Sequence, residues 1–365
     1  MLLKNKLVEF IKIIPALYQN YNTPFLLIIF GFSSFSYIPI HFAIIYSVVS
    51  TLCFCLSANS RSLLSGRKST VFFEGVLRKR IILFLPIFLI SILISIHLSS
   101  FSRILILGIT IRKLLDWLDE IILQKYEISN QSKKQLEYIL FNLLTLFLLV
   151  FAIIQKNGSI LFLTLLWSLS PLLLSFRTIF NQLKKIISGQ EFRLSGNFTS
   201  HLISTIAIGL STLIFRVIIN KYFDDIKASQ IIIGISIGAI LASLSAGPIG
   251  IKLVEMINIK TIKKVLVLVF IIITTLLISF REVYATSFFL MTVMYSILGS
   301  IIMSYAQMTR NFILLQDNAN KGKDFWIGMI VIATTLIVCI KFSHIDQVVS
   351  SLYLFSAIIN FLIYI

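Results

Sequence analysis

The sequence predicts an all-α polytopic membrane protein with about 12 transmembrane helices in two six-helix bundles. Hydrophobic residues make up 58% of the 365 residues and charged residues only 13%, whereas roughly a quarter of the residues in a soluble domain are charged. The mean hydropathy is +0.97. The apolar runs are about 17–25 residues long, which is the length that a helix needs to cross a bilayer. They lack the alternation that is typical of barrel strands.

The apolar runs give twelve predicted spans. The first bundle is expected at residues 24–40, 41–58, 80–99, 101–122, 135–155 and 159–177, and the second at 200–222, 228–252, 262–280, 287–311, 324–342 and 345–365. One long kinked span across Pro39–His41 is the alternative to the first two. An amphipathic lead-in is predicted at residues 7–21. The longest inner loop, 178–199, separates the bundles, so the predicted domains are residues 1–188 and 189–365.

The distribution of Lys and Arg predicts the orientation of the chain. If both termini are cytoplasmic, 23 of the 32 Lys and Arg residues fall in inner segments and six in outer segments, as the positive-inside rule requires. The net charge of +17 is therefore interpreted as a topology signal, and no nucleic-acid partner is expected. We predict a multi-pass protein with both termini in the cytoplasm.

Short similar segments in the two halves of the sequence indicate an internal repeat. "FGFSSF" begins the first half, and "IGLSTLIF" lies in the matching span of the second. "LSAN" and "LSAG" end the second span of each half. Because each half has six spans, both halves share one orientation. The sequence therefore predicts a parallel 6+6 repeat about an axis along the membrane normal.

Span four carries the densest charge, in "RILILGITIRKLLDWLDEIILQKYE". Arg112 and Asp116 are spaced i,i+4, so their side chains meet on one helix face. Ionisable residues within a span are costly and normally face a bundle interior or a wet cavity. One hypothesis is that Arg112 and Lys113 bind an anionic headgroup while Asp116 holds them in place. The alternative is that the apolar part ends near Leu115 and the rest is a solvated helix.

Three further residues are candidate ligands for an anion. Arg216, in "STLIFRVIINKYF", either faces a cavity and pairs with phosphate or snorkels to the outer surface. Asn59 and Arg61 lie in "LSANSRSLLSGRKS", at the predicted cytoplasmic end of span two. They are interpreted as lining the inner mouth of the protein.

Small residues recur every four positions along span eight: Gly234, Gly238, Ala242, Ala246 and Gly250. This spacing forms a flat helix face that another backbone can approach closely. The face serves either as plain helix packing or as a sliding surface between two moving bundles. Pro248 is expected to kink or end the helix near the cytoplasmic face.

Catalytic and cofactor motifs are missing from the sequence. The four histidines have no paired metal spacing, and there is no phosphate-binding glycine loop or nucleophile elbow. The three cysteines all lie in apolar runs, which gives no disulfide or redox signal. We therefore expect no enzyme activity, no metal and no cofactor.

The segments "LSANSRSLLSGRKS", "IRKLLDWLDEIILQKYE" and "GISIGAILASLSAGPIGIKLV" resemble those of the multidrug/oligosaccharidyl-lipid/polysaccharide (MOP) exporter superfamily. The closest branch is the Wzx-type flippase of O-antigen and capsule assembly. This resemblance implies alternating-access flipping of an undecaprenyl-pyrophosphate-linked oligosaccharide across the bacterial inner membrane, for surface polysaccharide assembly. It also implies membrane lipids, and polysaccharide polymerase or assembly proteins, as partners.

Three other functions stay open at this point. A cation-coupled multidrug or small-molecule exporter of the same superfamily needs buried acids, and only Asp116 and Asp119 are candidates. A membrane polysaccharide polymerase or glycosyltransferase usually has a large outer loop, whereas every predicted outer loop here is short. A non-transporting scaffold in an assembly complex is the third possibility.

Overall fold

The structure, a computed structural model, describes residues 25, 28–29, 38–57, 70–98, 103–129, 131–155, 160–188, 198–246, 259–315 and 321–364. Regular structure within these residues is helical throughout. Several sequence predictions fall outside them: the lead-in at 7–21 and the residues Asn59, Arg61, Pro248 and Gly250. Ala246 ends a helix, but its side chain is not among those described.

Between residues 38 and 364 the helices occur in the order of the predicted spans, whereas most of the predicted first span, 24–40, lies outside the described residues. The first six are α1 (Ile38–Ser57), α2 (Thr70–Leu98), α3 (Arg103–Ile128), α4 (Ser132–Ile154), α5 (Ile160–Leu169) and α6 (Leu172–Ile187). The remainder are α7 (Phe198–Tyr222), α8 (Asp225–Ala246), α9 (Ile259–Ser279), α10 (Arg281–Tyr284), α11 (Phe288–Leu315), α12 (Lys321–Lys341), α13 (Asp346–Ser350) and α14 (Leu352–Tyr364).

Six of these helices are long and apolar enough to cross a membrane: α2, α4, α7, α8, α11 and α12. The prediction of an all-helical, multi-pass membrane protein is confirmed at this level. The count of about 12 spans, the 6+6 repeat and the orientation of the termini stay predictions. Helix α3 is not among the six because it has too many charged residues for its length.

The chain forms two compact units. Residues 44–209 belong to the first unit, whereas residues 24–43 and 210–365 belong to the second. The chain therefore passes from one unit to the other within α1, after Ala43, and within α7, after Gly209. The predicted domain boundary at residue 188 stays a prediction.

Helix α3 is the central helix of the first unit. Leu118 and Ile121 pack with Leu77 of α2 in one buried cluster, while Trp117 packs with Val49 of α1 in another. Because residues beyond Leu115 are buried among other helices, a solvated end for α3 is wrong. By contrast, the outer faces of α2 and α4 expose many large apolar side chains, including Leu85, Leu93, Leu144 and Phe147.

Span six differs from its prediction. The expected single helix is broken between α5 and α6, at Ser170 and Pro171. Proline has no backbone N–H, so Pro171 cannot donate the usual hydrogen bond to the carbonyl four residues earlier, that of Trp167. The last span is also divided, between α13 and α14.

Helix α8 packs closely against α11 in the second unit. A Cβ atom on Gly234 would lie 2.7 Å from Cγ2 of Thr292, and one on Gly238 would lie 2.6 Å from the carbonyl oxygen of Ser296. Both neighbours belong to α11. Further along the same face, Ala242 packs with Met303 and Ala357. This small-residue face therefore packs against helices of its own unit.

Candidate functional site

The strongest polar cluster lies inside the first unit, around the guanidinium of Arg112. The side chain is fully buried. Its Nε lies 3.1 Å from Oδ1 and 3.2 Å from Oδ2 of Asp116, one helical turn along α3. Its Nη1 lies 2.8 Å from Oδ1 of Asn142 on α4 and 2.8 Å from Oγ of Ser170. Arg112 therefore joins α3 and α4 to the start of the break.

Arg112 also compensates for the proline at that break. Its Nη1 donates to the backbone carbonyl of Trp167 over 2.8 Å, the acceptor that Pro171 leaves without its helical donor. The Oγ of Ser170 lies 2.8 Å from the same carbonyl, and the guanidinium stacks 5.0 Å from the centre of the Trp167 ring. These contacts stabilise the α5–α6 break from within the unit.

Lys113 points away from this cluster. Its Nζ lies 3.0 Å from the hydroxyl of Tyr46 on α1 and 4.8 Å from the centre of that ring. The side chain is half-buried, unlike that of Arg112. Of the two predicted headgroup ligands on α3, Lys113 is therefore the more open.

A second buried arginine was not singled out from the sequence. Arg80 of α2 donates to Oε2 of Glu120 over 2.9 Å, donates to the carbonyl of Trp117, and stacks 4.9 Å from the centre of the Trp117 ring. In the predicted topology Arg80 is one of the inner-loop cations. Its partners on α3 come from a distant part of the sequence, so only tertiary packing reveals the site.

The end of α2 nearest to Thr70 carries a further charged network. Arg78 donates from Nε to Oε1 of Gln182 over 2.9 Å and from Nη2 to Oε2 of Glu74 over 3.3 Å. Lys185 donates to both carboxylate oxygens of Glu74, over 3.1 Å and 3.0 Å. These contacts fasten α2 to α6.

Arg216 lies in the second unit. Its Nη1 donates over 3.0 Å to the carbonyl of Ala43, in the part of α1 that belongs to that unit. Nearby, Ile40 donates its backbone N–H over 3.3 Å to Oγ of Ser229 on α8. Arg216 is half-buried, and the two alternatives for it, a cavity ligand or a side chain that reaches the outer surface, stay predictions.

An ion pair joins α11 to α12 in the second unit. Arg310 donates from Nε to Oδ1 of Asp324 over 3.0 Å and from Nη2 to Oδ2 over 3.3 Å. The hydroxyl of Tyr364, near the end of α14, donates to the same carboxylate. Asp324 is almost fully buried, so three helices meet at one charge.

The structure thus brings together only part of the predicted set. Arg112, Lys113 and Asp116 share the first unit, whereas Arg216 lies in the second. Sequence reasoning missed the residues that complete the Arg112 cluster, which are Asn142, Trp167 and Ser170. The one available signal was Pro171, because a proline within an apolar run leaves a carbonyl that another group must satisfy.

The fold and the enclosed charge pairs define a helical multi-pass membrane protein in which Arg80, Arg112 and Arg310 are paired with acids inside its units. Its fold is similar to that of the lipid II flippase MurJ in an inward closed conformation. The two structures align with a TM-score of 0.60 and 12% sequence identity, over 97% of this chain and 86% of that chain. No protein-family model and no curated protein matches the sequence.

Proposed function

We propose that this protein is a flippase that carries a lipid-linked precursor across the bacterial inner membrane by alternating access, and that it is not an enzyme. The observation that supports this most strongly is the likeness to a lipid II flippase over 97% of the chain. Flippases and soluble-substrate transporters can share a fold, so Lys113 and Arg216, which are cations within the predicted spans, matter as a second support.

The proposed substrate is an undecaprenyl-pyrophosphate-linked oligosaccharide, as in the Wzx-type branch of the MOP superfamily. Such a molecule has an anionic head that is costly to take through hydrocarbon. Cationic side chains lower that cost because charge-assisted hydrogen bonds to phosphate are stronger than neutral ones. Membrane lipids and polysaccharide assembly proteins are the proposed partners.

The candidate head ligands fall into two classes. Arg61, Lys113 and Arg216, with Asn59, are proposed to meet the pyrophosphate. Arg112 and Asp116 are proposed to act differently, because the guanidinium is already engaged by Asp116 and by the Trp167 carbonyl. Arg112 is a positioning residue that sets the path of α5 and α6.

The test is complementation of a strain that lacks the protein, with surface glycan as the readout and membrane levels checked by immunoblot. Arg61→Gln, Lys113→Gln and Arg216→Gln are each expected to lower glycan export about tenfold or more, because a charge-assisted hydrogen bond contributes roughly 1.5–3 kcal/mol. The matched control is Arg281→Gln, since Arg281 is an exposed cation of the second unit. Full surface glycan in all three variants would contradict the assignment of these residues as ligands of the pyrophosphate.

A cation-coupled exporter of small molecules is the second candidate function. The buried carboxylates of Asp116 and Asp119 favour it, because such transporters carry ionisable groups within their spans. A deletion strain that becomes sensitive to drugs while its surface glycan stays intact would favour this alternative over the flippase.

A further inference from the structure

Asp119 is a carboxylate enclosed within the first unit. Its side chain is 1% exposed. Neither carboxylate oxygen makes a hydrogen bond of good geometry with any residue that the structure describes. The groups that face it are Arg112 and Asp116 on its own helix, Ser175 on α6 and Tyr138 on α4.

Two cations of α3, Arg112 and Lys113, are engaged by other groups. Arg112 lies 3.1 Å from Asp116, and Lys113 lies 3.0 Å from the hydroxyl of Tyr46. Glu120, the next residue along α3, binds Arg80 of α2 over 2.9 Å. Asp116 therefore presents a second negative charge to Asp119, while Arg112 is already held by Asp116.

The helices packed against α3 supply no further cation to Asp119 among the described residues. On α2, Arg78 binds Gln182 and Glu74, and Lys79 lies beside Arg80. Helix α5 has no ionisable side chain. The other ionisable groups on these helices are exposed or bound elsewhere: Lys133, Lys134 and Glu137 on α4 are exposed, as are Arg177 and Lys184 on α6, and Lys185 binds Glu74.

We propose that Asp119 is a proton-binding site of the first unit, occupied by a proton in the conformation described here. An ionised carboxylate that makes no hydrogen bond of good geometry and faces a second carboxylate is costly in a protein interior, whereas the neutral acid costs much less. The proton comes from water and leaves to water, and no other bond changes. When protonated, the acid can donate to Tyr138 or to Ser175.

The position of Ser175 connects this proton to the helix break. Ser175 lies one turn beyond Pro171 and donates from Oγ to the Pro171 carbonyl over 3.0 Å. A shift of α6 about the break therefore changes the polar groups around Asp119. Proton release is expected to favour a different position of α6. Any consequence for flipping rests on the proposed function, but the protonation itself does not.

Infrared difference spectroscopy of the full-length protein in liposomes tests the proposal without any substrate. A protonated carboxyl group gives a carbonyl stretch that shifts when H₂O is exchanged for D₂O. We expect this band at neutral pH in the wild type and in the control Glu137→Gln, whose carboxylate is exposed. Asp119→Asn should remove it. No loss of the band in a folded Asp119→Asn variant would overturn the proposal.

Two further measurements test the protonation of Asp119 and the proposed flippase function separately. If the wild type shows no band at neutral pH in a buffer without sodium ions, Asp119 is ionised in this conformation, which also overturns the proposal. If flipping in proteoliposomes is observed, its rate should depend on pH in the wild type and lose that dependence in Asp119→Asn. Absence of flipping in both proteins, with the band present, would count against the proposed function alone.

Discussion

At the scale of single residues, Arg112 shows how a charge becomes tolerable inside this protein. A buried guanidinium is costly unless it is paired and hydrogen-bonded, and here Asp116, Asn142 and a backbone carbonyl accept from two of its three nitrogens. The same arrangement recurs at Arg80, which also stacks on a tryptophan and donates to that tryptophan's carbonyl. Both arginines therefore serve packing within the first unit.

Arg112→Gln is expected to destabilise the protein by about 3–5 kcal/mol, since it leaves Asp116 buried without its partner. Thermal unfolding in detergent, followed by tryptophan fluorescence, measures the change as a fall in Tm. Arg281→Gln, at an exposed site, should shift the unfolding free energy by only about 0.5 kcal/mol or less. Equal Tm values for the two variants would contradict the role assigned to Arg112.

Tyr364→Phe tests the ion pair of the second unit. The variant removes the hydroxyl that donates to Asp324 but leaves Arg310 in place, so a cost of about 1–2 kcal/mol is expected. Asp324→Asn should cost more, because Arg310 then loses the carboxylate that it contacts through two nitrogens. Thermal unfolding gives the order of the two variants, and the reverse order would refute this account.

At the scale of elements, the break between α5 and α6 depends on a proline and on a guanidinium from another helix. Pro171 removes one backbone donor, and Arg112 replaces it at the Trp167 carbonyl. Because Pro171 leaves the Trp167 carbonyl without its helical donor and Arg112 supplies another, the effects of substituting the two residues should not be additive. The break is therefore a property of four helices together.

Pro171→Ala should partly rescue Arg112→Gln. Alanine restores the backbone N–H that can donate to the Trp167 carbonyl, so the double variant is expected to be more stable than the sum of the single effects by about 0.5–3 kcal/mol. A double-mutant cycle on unfolding measures the coupling. Strict additivity would show that Arg112 does not compensate for Pro171.

Glycine substitutions test the close packing of α8. A Cβ on Gly238 would lie 2.6 Å from a backbone oxygen and 2.9 Å from Cε1 of Tyr353, so Gly238→Ala should cost about 1–3 kcal/mol. The control is Gly322→Ala on α12, where nothing lies within 4 Å of an added Cβ. That change should be neutral or stabilise the protein by up to about 1 kcal/mol. A Gly238→Ala variant as stable as the control would contradict the close approach.

The sequence predicted features within single helices better than it predicted the contacts between helices. The i,i+4 pair of Arg112 and Asp116 and the close approach at Gly238 follow from helical spacing alone. The break at Pro171 did not, because a proline in an apolar run can kink a helix or divide it, and neighbouring helices decide which. The pairing of Arg80 could not be predicted from the sequence either, because Glu120 and Trp117 contact it only after α2 and α3 pack together.

At the scale of the whole molecule, the chain combines a transporter-like fold with membrane-spanning helices. The fold likeness covers 97% of the chain, and six helices are long and apolar enough to span a bilayer. Hydropathy predicted this class because lipid forces backbone groups into helices. The substrate could not be predicted in the same way, since it depends on side chains that meet only in the folded protein.

The most direct test of the flippase proposal is reconstitution of the purified protein into liposomes that contain a fluorescent undecaprenyl-pyrophosphate-linked oligosaccharide. A membrane-impermeant quencher reports the fraction of headgroups on the outer leaflet. The account predicts time-dependent transfer of headgroups between leaflets, slowed about tenfold or more by Arg216→Gln and unchanged by Arg281→Gln. Transfer no faster than in protein-free liposomes, with folded protein present in the membrane, would contradict it.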